Sequence, residues 1–564
     1  MPVRRGRLAC IILLTLLNAM GAKAAVKNKL PADMIISNAT IYTVFPEWKT
    51  YDAMAIKGGK IIALGTDKEI LDDYTSNNKI NAHNNFVYPG FIDAHCHFSG
   101  FALDKYKCDL TEAKSFKEVL KMLEVYDKAN KMPWVFGKSW DQNQWKTKEF
   151  PDKDSLDKLF PDKPVILERI DGHALLCNQK ALDMAKITSK TNIYGGIIGK
   201  KNGELTGMMI DNAMEPIEKL IAVLPEAEAM RYLQEAEMDC YKEGVTGVVD
   251  CGVNKHTIEL LKKMYAENKL EIGNSLLLAD DSETLKTYAP LGPQKWGQLQ
   301  IAGIKMFADG ALGSRGACLI DDYSDNEDHA GMLITTVNHM RTLADLAMKN
   351  NLQLCTHAIG DSANRTVVKL YARYLKEKND RRWRVEHAQI VQPEDLHYFG
   401  DFSIIPSVQP THLPADMPWA IERLGKERFE KAGYPFNDLM KQNGWIALGT
   451  DFPVEPINPL ATYYTAVFRT LKAEGPGYLP NNALSKFDAI KGMTIWAARS
   501  VYLEDHKGSI EIGKDADLVI LDNDLVRDKR SNIMKNKVLY TIVNGKVKYK
   551  RKSENILSEI IHIK

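Results

Sequence analysis

From residue 244 onward the chain alternates short apolar runs with helical patterns, and this alternation restricts the fold more than any other feature. The runs are GVTGVVDCG (244–252), EIGNSLLLAD (271–280), LQIAGIKMFADG (299–310), LQLCTHAIGD (352–361), WRVEHAQ (383–389), FSIIPSVQP (402–410) and WIALGTDFP (445–453). Helical stretches at Lys255–Asn268, Asn338–Asn350 and Ser362–Lys378 lie between them. Strands alternating with helices specify a parallel sheet, because parallel neighbours need a crossover. With the apolar run Phe91–His97 added, the strands number eight, the closure number of a (β/α)8 barrel. An open doubly wound sheet is the competing arrangement, but it calls for a Gly-rich phosphate loop after its first strand, and this sequence has none.

The first of these strands lies in FVYPGFIDAHCHFSG (86–100). Side chains alternate along a strand, so His95 and His97 point one way and Cys96 the other. Two imidazoles on one face at the C-terminal end of a strand can hold a divalent metal, although an HxH pair alone is common on ordinary strands. Further polar residues mark the ends of later strands: Lys305, His357, His387 and Asp451. Each sits in or just after an apolar run, where a charged or imidazole side chain is costly without a partner. In a barrel the catalytic groups gather at the C-terminal ends of the strands. A shared metal centre would give all six residues a partner.

The two ends of the chain echo one another. ADMIISNATIYTV and YDAMAIKGGKIIALG near the N-terminus read as short strands with a Gly58-Gly59 hairpin turn. GSIEIGKDADLVILD and KVLYTIVNGKVKYK near the C-terminus repeat the pattern, with Asn544-Gly545 as the turn. One small β-sandwich built from both termini is expected, with residues 25–88 and 504–564 as its halves around a barrel at 89–503. Within the barrel, residues 101–225 read as a large insertion after the first strand that caps the middle of the chain. It mixes a helix (Ser115 to Asn130), aromatic-rich turns (Trp134 to Trp145) and hairpin signals near Tyr194 to Gly207. Inside it, PVILERIDGHALLCN carries Asp171 and His173, where His173 either faces a substrate or serves as a structural hydrogen-bonder.

Arg4, Arg5 and Arg7, the apolar run Leu8–Met20 and Ala22-Lys23-Ala24 have the form of a secretory signal peptide over residues 1–24. The apolar run is too short for a transmembrane helix. Export to the periplasm or the exterior is therefore expected, with no stable membrane anchor after cleavage. The net charge of +1 offers nothing to attract nucleic acid or an anionic membrane. The cysteines beyond the signal (Cys96, Cys108, Cys177, Cys240, Cys251, Cys318 and Cys355) are scattered in mostly apolar contexts, and buried free thiols are expected.

Taken together, ADMIISNATIYTV, VYPGFIDAHCH, GIKMFADGALGSR, THAIGDSANR, VEHAQ, LGTDFPV, GKDADLVILD and VNGKV resemble the metal-dependent amidohydrolase superfamily. Within it, the resemblance is to amidohydrolase family 3, the group of the N-substituted formamide deformylase-like proteins, and it covers nearly everything after residue 24. It implies two divalent metal ions, zinc by analogy. His95, His97 and Asp451 would hold the first, His357 and His387 the second, and a carboxylated Lys305 would bridge them. A free ammonium has no lone pair for a metal, whereas a carbamate is anionic and bidentate; the competing role for Lys305 is an ion-paired lysine beside a single metal. The resemblance further implies attack on a carbonyl by metal-activated hydroxide with Asp451 as general base. Asp171 and His173 would bind substrate, and Asp309 and Arg315 would support the ligands. The expected activity is hydrolysis of a small-molecule linear amide such as an N-formyl or N-acyl amine. A cyclic amide or carbamate substrate, or a non-enzymatic binding or regulatory barrel, remains as an alternative. Trp134, Trp140, Trp145 and Trp419 are candidates for an apolar pocket, and family analogy suggests a homodimer.

Overall fold

The computed structural model describes residues 28–552. The segment read as a signal peptide therefore lies outside the described residues. Eight parallel strands run through the central sheet in chain order: β1 (Phe91–Cys96), β2 (Val245–Val253), β3 (Gly273–Leu278), β4 (Leu299–Phe307), β5 (Gln353–Ala358), β6 (Arg384–His387), β7 (Ile405–Val408) and β8 (Ala447–Leu448), and the short segment Gln294–Trp296 adds an antiparallel ninth beside β4. All eight coincide with the apolar runs of the sequence. Helices α1 (Glu226–Lys242), α2 (Lys255–Ala266), α3 (Val337–Lys349) and α4 (Asp361–Leu375) pack outside. Their starts are set locally: the side chains of Asn254 and Thr336 accept from the backbone N–H groups of Thr257 and His339, satisfying donors that an uncapped helix leaves unpaired.

The sheet curls until β8 meets β1. Asp451 N donates to His95 O and His97 N donates to Phe452 O, each at 2.8 Å. The buried Asp93 carboxylate reinforces this seam by accepting from Thr450 Oγ1 at 2.6 Å, Thr450 N at 3.0 Å and His95 N at 3.2 Å. Gly449 permits the close approach, because a Cβ there would lie 2.6 Å from His95 N and 2.8 Å from Asp93 Oδ1. The seam thereby places His95 and Asp451 side by side.

Both chain ends contribute to one six-stranded sheet, in which Leu518–Leu521 pairs antiparallel with Phe86–Pro89 and with Val538–Val543. A four-stranded sheet of residues 34–37, 53–57, 60–65 and 79–81 packs against it, and Ile36, Met54, Ile56, Val87, Leu518 and Ile542 fill the space between. The Gly58-Gly59 and Asn544-Gly545 turns each have positive φ at both residues, as a tight hairpin requires.

Between β1 and β2 lies a separate six-stranded sheet with an apolar layer on each face. Helix Phe116–Asn130, capped by Ser115, is where its pattern predicts. The aromatic-rich stretch expected to form turns is instead a strand, Val135–Trp140, in the interior of this sheet between Cys108–Asp109 and Val165–Arg169. Trp140 and Trp145 are buried in its core, donating their indole N–H groups to Leu167 O and Ala113 O at 2.9 Å. Trp134 stacks on Phe136 with ring centroids 5.8 Å apart. All seven cysteines of the described residues are free, and all but Cys318 are buried.

Replacing Gly449 by Ala is expected to push β8 away from β1, destabilising the chain by about 1–3 kcal/mol, the usual cost of overpacking. Chemical denaturation measures this, and an unchanged midpoint would show that the seam does not need the close approach.

Candidate metal centre and substrate cavity

At the C-terminal end of the barrel a cavity of about 1220 Å³ opens over His97, Lys305, His357, His387 and Asp451. Asp451 is the point of convergence. Its Oδ1 lies 3.4 Å from His95 Nε2 and 3.3 Å from His97 Nε2, and it has no hydrogen-bond partner although it is buried. His95, His387 and Asp451 offer ligand atoms within 4.8 Å of one another, a spacing a single ion can bridge. The ring of His387 is 4.7 Å from that of His95 and 4.5 Å from that of His357, centroid to centroid. Lys305 Nζ reaches to 3.2 Å from His95 Nε2 and lies over the Phe307 ring. Cys96 points the other way, towards Val249 O.

Electrostatics suit these groups to a cation. Burial drives the imidazoles of His357 and His387 well below the usual histidine range, and His95 down to about 4, with the Lys305 charge adding to the effect. Burial thus favours the neutral form, which has a lone pair to offer. Burial would raise the Asp451 carboxyl, but the imidazoles of His97, His95 and His412 outweigh it and hold Asp451 below the carboxylate range. A carboxylate among imidazoles is a donor set for a divalent metal.

A second layer fixes these rings. His95 Nδ1 lies 2.5 Å from Glu386 Oε2, His97 Nδ1 is 3.0 Å from Cys251 O, and His387 Nδ1 is 2.8 Å from Gln409 Oε1. Each partner occupies Nδ1 and leaves Nε2 for the centre. Glu386 is itself held by Arg384, whose Nε donates to Oε1 at 2.7 Å; burial would raise this carboxyl, but the guanidinium keeps it well below the ordinary range. Asp309 accepts backbone N–H groups of Ile359 (3.0 Å), Gly360 (2.8 Å) and Cys318 (2.8 Å), shaping the loop after β5, and sits 3.7 Å from His357 Nε2. Burial pushes its carboxyl up to about 7.

The inserted sheet supplies the roof. Asp171 and His173 occupy the tip of the hairpin formed by Val165–Arg169 and Ala174–Cys177, and both line the cavity. Asp171 is tied to Arg169 at 2.5 Å. His173 Nδ1 is 2.8 Å from Asp211 Oδ1, and its ring stands 4.9 Å from that of His357. Burial disfavours the charged His173, but Asp211 outweighs it and raises its pKa. Arg315 does not line the cavity; it turns to Asp325, 2.9 Å away. Of the four tryptophans considered, Trp419 lines the cavity, beside Phe101, Phe307 and Leu312.

Four residues near the centre escape a reading of strand ends alone. Glu386 and Arg384 lie within the apolar strand β6, where a charged pair is itself a signal of a buried contact. Gln409 and His412 follow β7, the one late strand whose end carries no histidine or carboxylate. His412 Nε2 is 3.6 Å from Asp451 Oδ2.

A parallel barrel with histidines and an aspartate converging at the C-terminal ends of its strands defines a metal-dependent hydrolase. The chain belongs to the amidohydrolase family, whose sequence model matches residues 79–549. It is 34% identical over 538 residues to Protein LONG AFTER FAR-RED 3 of Arabidopsis thaliana, covering 92% of each chain. It is 27% identical over 539 residues to N-substituted formamide deformylase of Arthrobacter pascens, covering 92% of this chain and 98% of that one. Among solved structures, an uncharacterized metal-dependent hydrolase from Pyrococcus horikoshii OT3 superimposes with a TM-score of 0.72 at 29% identity, over 88% of this chain and 99% of that one.

Because Glu386 orients His95, Glu386→Gln is expected to weaken metal binding about 10–100-fold, the usual effect of losing such a partner. Chelator competition measures it, and wild-type affinity in the variant would remove Glu386 from that role.

Proposed function

We infer that this chain hydrolyses linear amides, N-formyl or N-acyl amines, at a zinc pair bridged by a carboxylated Lys305. The observation that carries the reading is the buried, unpartnered Asp451 Oδ1 facing His95 and His97 at the floor of the cavity. His95, His97 and Asp451 would hold one ion, and His357 with His387 the other. Lys305 supports the bridge: it is buried among imidazoles and, among the described residues, pairs with no carboxylate. A carbamate on its Nζ would turn an uncompensated cation into an anionic ligand. The ions, when bound, lower the pKa of water towards neutrality and polarise the substrate carbonyl.

Asp451 then accepts the proton of the attacking water and delivers it to the departing amine. Asp171 and His173, held by Arg169 and Asp211, bind the acyl or amine side from the roof. Phe101, Phe307, Leu312 and Trp419 give an alkyl or aryl substituent an apolar wall. The similarity to a formamide deformylase favours the linear-amide reading over cyclic amides and carbamates. The N-terminal segment adds export: cleavage after Ala24 would be read by N-terminal sequencing of the secreted protein, which should begin at Ala25, and retention of Met1 would contradict it.

Amine release from a panel of N-formyl, N-acetyl and longer N-acyl amines, measured with zinc-loaded protein, tests the activity. Release abolished by a chelator is expected; no release with both ions bound would refute the linear-amide reading. Asp451→Asn should lower turnover by about 10²–10⁴, the range for loss of a general base. Lys305→Ala should reduce metal content below two ions per chain, and an unchanged content would rule out the bridge.

A further inference from the structure

The loop after β7 brings one more imidazole to the reaction centre, and the proposed ligand set does not use it. His412 begins the short helix His412–Asp416 and lines the cavity. Its Nε2 lies 3.6 Å from Asp451 Oδ2, shielded from solvent and without a hydrogen-bond partner. The ring runs nearly parallel to that of His387, with 18° between planes and 5.9 Å between centroids. His95 and His97 occupy the other side of the carboxylate, at Oδ1. Oδ2 is therefore the oxygen left for His412.

We propose that, with substrate bound, His412 closes the 3.6 Å gap to Asp451 Oδ2, donates Nε2–H to it and presents Nδ1 to the substrate, thereby selecting amides that carry an N–H on the scissile nitrogen. The assignment rests on the amide-hydrolysis reading above. A neutral imidazole has one donor and one acceptor nitrogen, so a ring that donates from Nε2 to a carboxylate must accept at Nδ1. His412 lines the cavity beside Asp451, and that acceptor is assigned to a donor on the substrate. The stereochemistry follows. In hydrolysis the hydroxyl of water bonds to the carbonyl carbon while its remaining proton passes to Asp451. That proton then moves to nitrogen, the C–N bond breaks, and a carboxylic acid and an amine leave. As the carbon becomes tetrahedral, nitrogen acquires a lone pair. With its N–H drawn to His412, that lone pair turns towards the neighbouring Asp451, the group that holds the proton. A tertiary amide has no N–H, leaving Nδ1 unpaired and the nitrogen free to rotate.

The test compares a matched pair, N-butylformamide and N-butyl-N-methylformamide, on zinc-loaded wild type, His412→Leu and His412→Asn, with bound metal measured for each. In His412→Leu, kcat/KM for the secondary amide is expected to fall about tenfold further than for the tertiary amide, with metal content unchanged. Asn, whose amide oxygen can stand where Nδ1 stood, is expected to restore part of that preference. If His412→Leu lowers both substrates by the same factor, the assignment is overturned, because a purely structural role predicts that result. Where wild type hydrolyses neither formamide, the same comparison is read on the matched N-acetyl and longer N-acyl pairs; hydrolysis of none of them fails the amide reading, and the assignment falls with it.

Discussion

The ion pair between Arg384 and Glu386, inside the barrel and fully shielded from solvent, is the interaction on which the centre depends. Arg384 donates to both oxygens of Glu386 on its own strand, to Ala94 O on β1 at 2.6 Å and to Ser407 Oγ on β7 at 2.9 Å. One guanidinium thus fastens three strands at the level just below the cavity. Bringing both charges out of water is expensive, and their attraction recovers little net stability. What the pair secures is position. Glu386 is anionic, aimed at His95 Nδ1, and fixes that ring with Nε2 towards Asp451. Removing either partner would leave an isolated buried charge, which costs far more than the intact pair contributes.

From that level upward the site is built on rigid elements. The β1–β8 seam sets the separation of His95, His97 and Asp451, while β5 and β6 bring His357 and His387 beside them. His95, Lys305, His357 and His387 sit on the strands themselves, whereas His97 and Asp451 follow β1 and β8 by one and three residues and are held by the backbone bonds of the seam, which keeps their spacing fixed. The cavity wall comes instead from the inserted sheet and from the loop after β7, where Asp171, His173, His412 and Trp419 line it. The division matches a fold in which the barrel supplies the chemistry and the loops supply its selectivity.

Much of this architecture is written locally in the sequence. Each barrel strand is a short apolar run next to a helical pattern, and a histidine, lysine or aspartate at the end of such a run is conspicuous because burial without a partner is costly. His95, His97, Lys305, His357, His387 and Asp451 all stand out this way, and the structure brings five of the six around one cavity, with His95 buried beside Asp451. What local pattern cannot convey is pairing between distant segments. Val135–Trp140 looks like an aromatic-rich turn until it is flanked by two parallel strands whose side chains bury its own. His412 has no apolar run immediately before it and acquires a role only because β7 and β8 are neighbours. Glu386 sits in plain view beside His387, yet its partner, His95, is 291 residues away. Tryptophans carry the same ambiguity, since three of four fill or flank the core of the inserted sheet and one faces the cavity.

The most direct measurement of the account is a crystal structure of the zinc-loaded chain with diffraction recorded at the zinc absorption edge. The account predicts anomalous peaks between His95, His97 and Asp451 and between His357 and His387, at about 2.0–2.2 Å from the ligand atoms. It also predicts density continuing from Lys305 Nζ as a bridging carbamate. Zinc bound elsewhere, with Asp451 turned away from His95 and His97, would contradict it.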